Sequence, residues 1–328
     1  MNHKIPWYPW LNLHYKKIIS FYQNNHKHHA LLLHANHGLA GNILIYAIIR
    51  WIMCCSVNNI KSCGICRNCR LIISHNHPDL HKITVDNYIG IDEIRFLKQI
   101  LTQTSQQGNN KIIWFPDANK LTHEAVNALL KTIEEPTANT YFFLKYSSNK
   151  TLQNTLRSRC FYYHLTPPQE LNILLWLQQQ KTQFSLIDMK IAIKLTNAAP
   201  LATFNLLQSI NWMKRKIFLQ LFANCFKNKI LLNMLTELNQ KNLINKIDWL
   251  ISILLDTLKY KQNIITHCIN QDQLMLIKII SFNHTYAHIF TLMNEWMILR
   301  YQLSSINGIN QELQLINQLT KWQKMIEH

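Results

Sequence analysis

Ala30-Leu31-Leu32-Leu33-His34-Ala35-Asn36-His37-Gly38-Leu39-Ala40-Gly41-Asn42 is the stretch on which the fold turns. Ala30 to His34 is a short apolar run of the length of a buried parallel strand. The residues from Ala35 to Asn42 lie between that strand and the helix that follows it, where a phosphate-binding loop sits in nucleotide-binding proteins. Four more runs of the same kind lie downstream: Leu80 to Val85, Lys111 to Phe115, Tyr141 to Tyr146 and Cys160 to Leu165. Helical patterns separate them. After Gly90, Asp92 is the expected cap of a helix with Ile94, Leu97 and Leu101 at helical spacing. Thr122 is the expected cap of another, with Val126, Leu129, Leu130 and Ile133 on one face and Pro136 to stop it. Alternating strand and helix through about residue 165 predicts an α/β domain with a parallel sheet.

Pro167 and Pro168 mark the end of that domain, and the rest of the chain reads as all-α. A Gly-poor helical run reaches Leu207, and longer amphipathic segments follow from about Trp212. Asn307 and Gly308 break the pattern before a last helix, which Asn310 is expected to cap, with Leu313, Ile316, Leu319 and Ile326 on one stripe. A mixed core followed by two helical domains is the expected organisation, and no internal repeat suggests a solenoid.

The 328 residues are 48% hydrophobic, enough for a sizeable core. Residues 1–17 carry Trp7, Trp10, His14 and Lys16 where a secretion signal needs a clean apolar core. Apolar runs such as Ile43 to Ile49 meet a charge, here Arg50, well short of the roughly 18 residues that span a bilayer. A cytoplasmic location is the expectation. The 34 Lys+Arg against 17 Asp+Glu give a formal charge of +17, which favours polyanionic partners such as nucleic acid. Two readings of that charge stand: a functional field, or compositional drift in a chain rich in Asn, Ile and Lys.

Of the eight cysteines, Cys54, Cys55, Cys63, Cys66 and Cys69 crowd into one short segment. In a reducing compartment such clustering points to a thiolate metal site rather than disulfides. Cys63-Gly64-Ile65-Cys66 supplies the turn, and Cys69 repeats the two-residue spacing. The fourth ligand is Cys54 or Cys55, with His75, His77 and His81 as substitutes. Structural Zn²⁺ is the expected occupant. Reduced thiols are the first alternative and an iron–sulfur cluster the second, the latter lacking its further Cys and Pro. Cys160, Cys225 and Cys268 have apolar neighbours and read as packing residues. The His-rich stretch from His26 to His29 reads as surface.

A working phosphate loop needs glycines, a Lys for the β/γ charge and a hydroxyl for Mg²⁺. In the matching register Ala35 and Ala40 replace the glycines, Gly41 the Lys and Asn42 the hydroxyl residue. After the run Lys111 to Phe115, an ATPase places an acidic pair; here the positions are Pro116 and Asp117, and Asp117 reads as a strand-end residue, not a catalyst.

Asn127-Ala128-Leu129-Leu130-Lys131-Thr132-Ile133-Glu134-Glu135-Pro136 and Leu156-Arg157-Ser158-Arg159-Cys160 closely resemble signatures of the clamp-loader subunits of bacterial DNA polymerase III, an AAA+ family. Trp7-Tyr8-Pro9-Trp10, His29 to Leu32, Lys61 to Gly64, His77-Pro78-Asp79 and Gly308-Ile309-Asn310 extend the likeness over nearly the whole chain. The motor members of that family have an intact loop and acidic pair, whereas this sequence resembles the branch with both degraded. The resemblance implies an AAA+-like core over 1–166 with a zinc module near 54–69, a helical lid over 167–207 and a collar domain for oligomerisation over 208–328. It implies Cys54, Cys63, Cys66 and Cys69 as zinc ligands. In the lid, Leu201 stands where related motors read nucleotide with Arg, so no ATP is expected on this chain. Arg159, supported by Ser158, is implied as an arginine finger acting in trans on a neighbour's ATP. The implied partners are the gamma/tau motor subunits, the delta subunit, the sliding clamp and primed DNA, within the polymerase III holoenzyme. Rival readings are an autonomous ATPase or helicase loader, and a zinc-dependent nucleic-acid binding module.

Overall fold

Five strands lie side by side in the order β2-β3-β4-β1-β5, all parallel. They are β1 (Ala30–His34), β2 (Leu80–Lys82), β3 (Lys111–Phe115), β4 (Thr140–Tyr146) and β5 (Phe161–His164). The helices around them are α1 (Leu11–Gln23), α2 (Gly41–Ile52), α3 (Arg67–Ile73), α4 (Ile91–Thr102), α5 (His123–Glu134) and α6 (Gln153–Arg159). The computed structural model describes residues 6–24, 28–107, 110–147, 153–180, 184–239, 242–306 and 308–327. The chain divides into two units, residues 1–168 and 169–328.

The parallel sheet expected from the alternating pattern is present. Its central strands are buried on both faces, which is why they read as unbroken apolar runs. Leu32, Ile113, Phe115, Phe142 and Leu144 meet Ile94, Leu97, Val126, Leu129 and Ile133 in one core. From β1 the chain travels to β2 beyond β4 and β3, whereas β4 leads to β5 on the other side of β1. The loops after β1 and β4 therefore part at the carboxyl ends of the strands, the place where α/β sheets bind ligands.

Local capping explains where the helices begin. Thr122 Oγ1 accepts the Ala125 N–H at 3.2 Å, and α5 stops before Pro136, both as expected. Asp92 does not cap α4. Gly90 precedes the helix in extended conformation and donates its N–H to Glu93 Oε2 at 2.9 Å, while Asp92 pairs with Arg95 at the surface. A third-position Glu reaching back satisfies an orphan donor that Asp92 could not. At the far end of α4, buried Lys111 donates to the carbonyls of Leu101 (2.6 Å) and Gln103 (2.7 Å).

The second unit is helical: α7 (Glu170–Gln179), α8 (Leu186–Leu195), α9 (Pro200–Leu207), α10 (Ser209–Lys227), α11 (Leu235–Leu238), α12 (Leu243–Lys261), α13 (Leu274–Asn283), α14 (Tyr286–Ser305) and α15 (Gln311–Glu327). Phe218, Phe222, Leu250, Ile253, Trp296 and Trp322 lie at its centre. A polar network threads beside that core: Arg215 on α10 donates to Asn270 Oδ1 (2.7 Å) and Asp272 Oδ2 (2.8 Å). Asn270 in turn donates its backbone N–H (2.7 Å) and side-chain amide (2.8 Å) to Asp256 on α12. Asn310 Oδ1 accepts the Leu313 N–H at 3.1 Å, as expected of the cap of α15. The buried stripe of that helix, however, is Leu315, Leu319, Trp322 and Ile326, and Leu313 is 61% exposed. Leu313 lies about 200° around the axis from Leu315, on the opposite side of the helix. Gly308 has φ +89; Asn307 and, in the His-rich stretch, His26 lie outside the described residues. Among the described residues, no helix is long and apolar enough to cross a membrane.

Candidate functional site

The end of α2 delivers Cys54 into a tight space, and the hairpin that follows is pinned from outside. Tyr15 donates its hydroxyl to the Ile60 carbonyl (2.6 Å), Trp51 its indole N–H to the Asn59 carbonyl (3.0 Å), and Asn68 its amide to the Met53 carbonyl (3.0 Å). Gly64, at φ +76, makes the left-handed turn between Cys63 and Cys66 that a side chain would strain. Cys66 then caps α3, its Sγ accepting the Cys69 N–H at 3.4 Å.

This brings Cys54, Cys63, Cys66 and Cys69 together, every Sγ lying within 4.8 Å of every other. Cys54 and Cys63 sulfurs are 3.4 Å apart, and those of Cys63 and Cys69 4.0 Å. A tetrahedral ion with sulfur at 2.3 Å requires about 3.8 Å between ligands, so the donor set fits. Backbone N–H groups already aim at the sulfurs: Cys63 at Cys54 (3.3 Å) and Cys66 at Cys63 (3.4 Å). Burial alone would push the Cys66 thiol up, but N–H donation from Cys69 and Cys55 outweighs it and brings the group down to about 6. The Cys63 thiol is lowered chiefly by the N–H groups of Cys66 and Ile65, whereas burial raises Cys54 and Cys69. Cys55 is exposed and lies outside the set, and His75, His77 and His81 lie outside it too. His77 is buried, its Nδ1 accepting the Asp79 N–H at 3.2 Å. Elsewhere, burial pushes the Cys160 thiol up to about 12, Cys268 is fully buried, and Cys225 packs against the helical core.

The loop between β1 and α2 turns through two residues with positive φ and is crowded at Gly41. Gly38 has φ +88, and Ala40 holds φ +63 just before the helix, a conformation suited to glycine. A Cβ at Gly41 would sit 2.7 Å from the Ala35 Cβ and 3.3 Å from Leu33 Cδ2. Leu39 is buried, and its carbonyl accepts the Trp10 indole N–H at 3.0 Å. Across the crevice, Asp117 Oδ1 accepts from the Asn119 amide (2.7 Å); the same amide donates to Ser147 Oγ (3.1 Å), and His37 Nε2 lies 3.2 Å from Ser147 Oγ. Lys145 on β4, opposite Leu33, is buried here; burial lowers its pKa and the charge of Asp117 works the other way. Asn42 Oδ1 is buried without a hydrogen-bond partner among the described residues.

At the end of α6, Ser158 Oγ donates to the Thr155 carbonyl (2.9 Å) and accepts from Arg159 Nη1 (3.2 Å). Arg159 Nε pairs with Glu134 in the last turn of α5. Arg157 instead stacks over the Tyr162 ring, 4.3 Å from its centre. Neither Glu134 nor Lys145 is singled out by a local signal in the sequence that would give it a role. A lysine inside the apolar run Tyr141 to Tyr146 is unusual but assigns the residue nothing, while nothing local ties residue 134 to residue 159.

A family model described as DNA polymerase III, delta subunit, matches residues 11–169, and one described as DNA polymerase III, delta subunit, C terminal, matches residues 209–324. The DNA polymerase III subunit delta' of Yersinia pestis is 39% identical to this chain over 324 residues, covering 97% of this chain and 95% of its own length. The subunit delta' of Buchnera aphidicola subsp. Schizaphis graminum is 36% identical over 322 residues, covering 98% of both. That of Escherichia coli K12 is 34% identical over 325 residues, covering 98% of this chain and 96% of its own.

Proposed function

The chain belongs to the family of DNA polymerase III delta' subunits, and from that premise we propose that it is a clamp-loader subunit that hydrolyses no ATP itself and acts on a neighbour's ATP through Arg159. Its partners in this reading are the gamma/tau motor subunits and the delta subunit, with the sliding clamp and primed DNA met in the assembly. Helices α7–α9 form the lid of the proposal, over 167–207, and the helices from α10 onward the collar, over 208–328. The proposed location is the cytoplasm, where that machinery works.

What supports the proposal is the pairing, in one chain, of a phosphate-loop position too crowded for a lysine with an arginine at an exposed helix end. Gly41 has no space for a side chain, whereas the Arg159 side chain is 40% exposed. A guanidinium with no ATP of its own to serve stabilises charge on a neighbour's γ-phosphate if it stabilises any. The same crowding speaks against an autonomous ATPase. Gly41→Lys is expected to gain no nucleotide affinity and to destabilise the chain by about 1–3 kcal/mol, as overpacking does. Thermal unfolding with and without Mg-ATP checks this; a nucleotide-dependent rise in melting temperature would count against this reading.

We assign a structural Zn²⁺ to Cys54, Cys63, Cys66 and Cys69. Bound, the ion supplies folding free energy to a segment with little core of its own; four sulfurs leave no open position for catalysis. The finger is tested in a complex reconstituted with motor and delta subunits. Arg159→Ala is expected to leave assembly intact and lower the DNA- and clamp-stimulated ATPase only in part, because one of several sites is affected. Arg159→Lys should rescue little, since an ammonium lacks the planar fork. Unmodified ATPase and clamp loading in the Arg159→Ala complex would overturn the trans role.

A further inference from the structure

We infer that Glu134 is a positioning residue for Arg159, holding the guanidinium against its own chain until a neighbour's polyphosphate draws it away. The inference rests on the reading of Arg159 as a trans finger and adds to it the device that governs when the finger is free.

The two arginines at the end of α6 are held in different ways. Arg157 lies over the Tyr162 ring of β5, 4.3 Å from its centre. Arg159 reaches sideways to α5, where its Nε meets the Glu134 carboxylate. Its Nη1 adds weaker contacts to the Thr155 carbonyl (3.4 Å) and to Ser158 Oγ (3.2 Å). Both partners of the ion pair are close to half exposed, 40% for Arg159 and 45% for Glu134. A buried pair of this kind would be locked, because separating it strands a charge away from water. An exposed pair is exchangeable, since water solvates both ends when it opens.

The geometry therefore sets up a competition. A terminal phosphate offers several charged oxygens to the planar fork, a stronger partner than one carboxylate oxygen. In the neighbouring site water adds to the γ-phosphorus, the bond to the β-bridging oxygen breaks with its electron pair leaving on ADP, and the proton of water passes to solvent. The guanidinium neither gains nor loses a proton; it donates hydrogen bonds to the non-bridging oxygens. Until that charge is in place, Glu134 supplies the alternative acceptor and keeps the finger back.

The test uses the full complex with gamma/tau, delta and this chain, measuring steady-state ATPase with and without primed DNA and clamp. Glu134→Gln is expected to raise kcat without DNA by about 1.5- to 5-fold, the range an exposed ion pair commands, with KM for ATP unchanged. Glu134→Asp, which keeps the charge on a shorter stem, should give a smaller rise, and gel filtration establishes that both variants assemble. The doubly substituted Glu134→Gln, Arg159→Ala complex should match Arg159→Ala alone. An unchanged or lowered kcat in Glu134→Gln overturns the inference, as does a rise that persists without Arg159. If Arg159→Ala itself hydrolyses at the unmodified rate, the finger reading falls and this one with it; if it is slowed while Glu134→Gln is not accelerated, only the role of Glu134 is lost.

Discussion

Cys69→Ser is expected to abolish the proposed zinc binding and loosen residues 54–73 while the parallel sheet stays folded. Cys69 is fully buried and lies at the third position of α3, so its sulfur faces the other three from inside a helix of seven residues. So short a helix does not hold itself together in water. The segment before it contributes an isolated bridge between Asn58 and Lys61 and a few hydrogen bonds to α1 and α2. In small zinc-folded peptides the ion supplies about 10–16 kcal/mol at neutral pH, and losing one of four thiolates forfeits much of it. The sheet core draws on Leu32, Phe115, Phe142 and their helices, none of which depends on the cluster. Metal analysis by atomic emission and hydrogen exchange over 54–73 give the readouts. Cys55→Ser should keep full zinc. Zinc retained at one per chain in Cys69→Ser, or iron in the unmodified chain, would reject the assignment.

Asp256→Ala is expected to lower the stability of the helical unit by about 3–5 kcal/mol, the cost of breaking a buried charge network from one side. Asp256 is fully buried and takes the backbone N–H groups of Ile269 (2.9 Å) and Asn270 (2.7 Å), the Asn270 amide (2.8 Å) and the Lys259 ammonium (3.2 Å). Its removal strands two backbone donors and releases the segment that positions Asn270 and Asp272 for Arg215. Arg215 is itself fully buried, against the Trp212 ring, and would lose the Asn270 acceptor with the segment. Burial alone would raise the Asp272 carboxyl, but the hydrogen bonds and charge of Arg215 outweigh it and hold the group below the usual carboxylate range. Urea denaturation of the isolated chain, followed by far-UV circular dichroism, measures the loss. A change under 1 kcal/mol would mean that water replaces the carboxylate without penalty, and that the network does not organise the unit.

Much of the fold was legible because its signals are local. The apolar run Ala30 to His34, the Thr122 and Asn310 caps and the stop at Pro136 each depend on residues within a turn of one another, and the structure has them where the pattern put them. The family likeness rests equally on contiguous residues such as Asn127 to Pro136 and Leu156 to Cys160, and the comparisons agree with it. Local reading failed where two local signals competed. Asp92 is a good cap in isolation, yet Glu93 reaching back to Gly90 starts the helix earlier. Leu313 is apolar at helical spacing, yet the buried face of α15 carries Leu315, Leu319, Trp322 and Ile326.

By itself the sequence determined the order of strands and helices, the clustering of thiols and the loss of the phosphate-loop chemistry, because composition and short spacing encode all three. Only the tertiary structure decided what those parts touch. The resemblance already implied Cys54 over Cys55; the structure adds the reason, the end of α2 pointing one of the two adjacent side chains inward. A side chain at Gly41 would run into Ala35 and Leu33, and Arg159 pairs with a carboxylate on a different helix. Such pairings are fixed by which surfaces the packed sheet and helices bring together. Glu134 and Arg159 lie far apart along the chain, so no periodicity or cap announces their pairing.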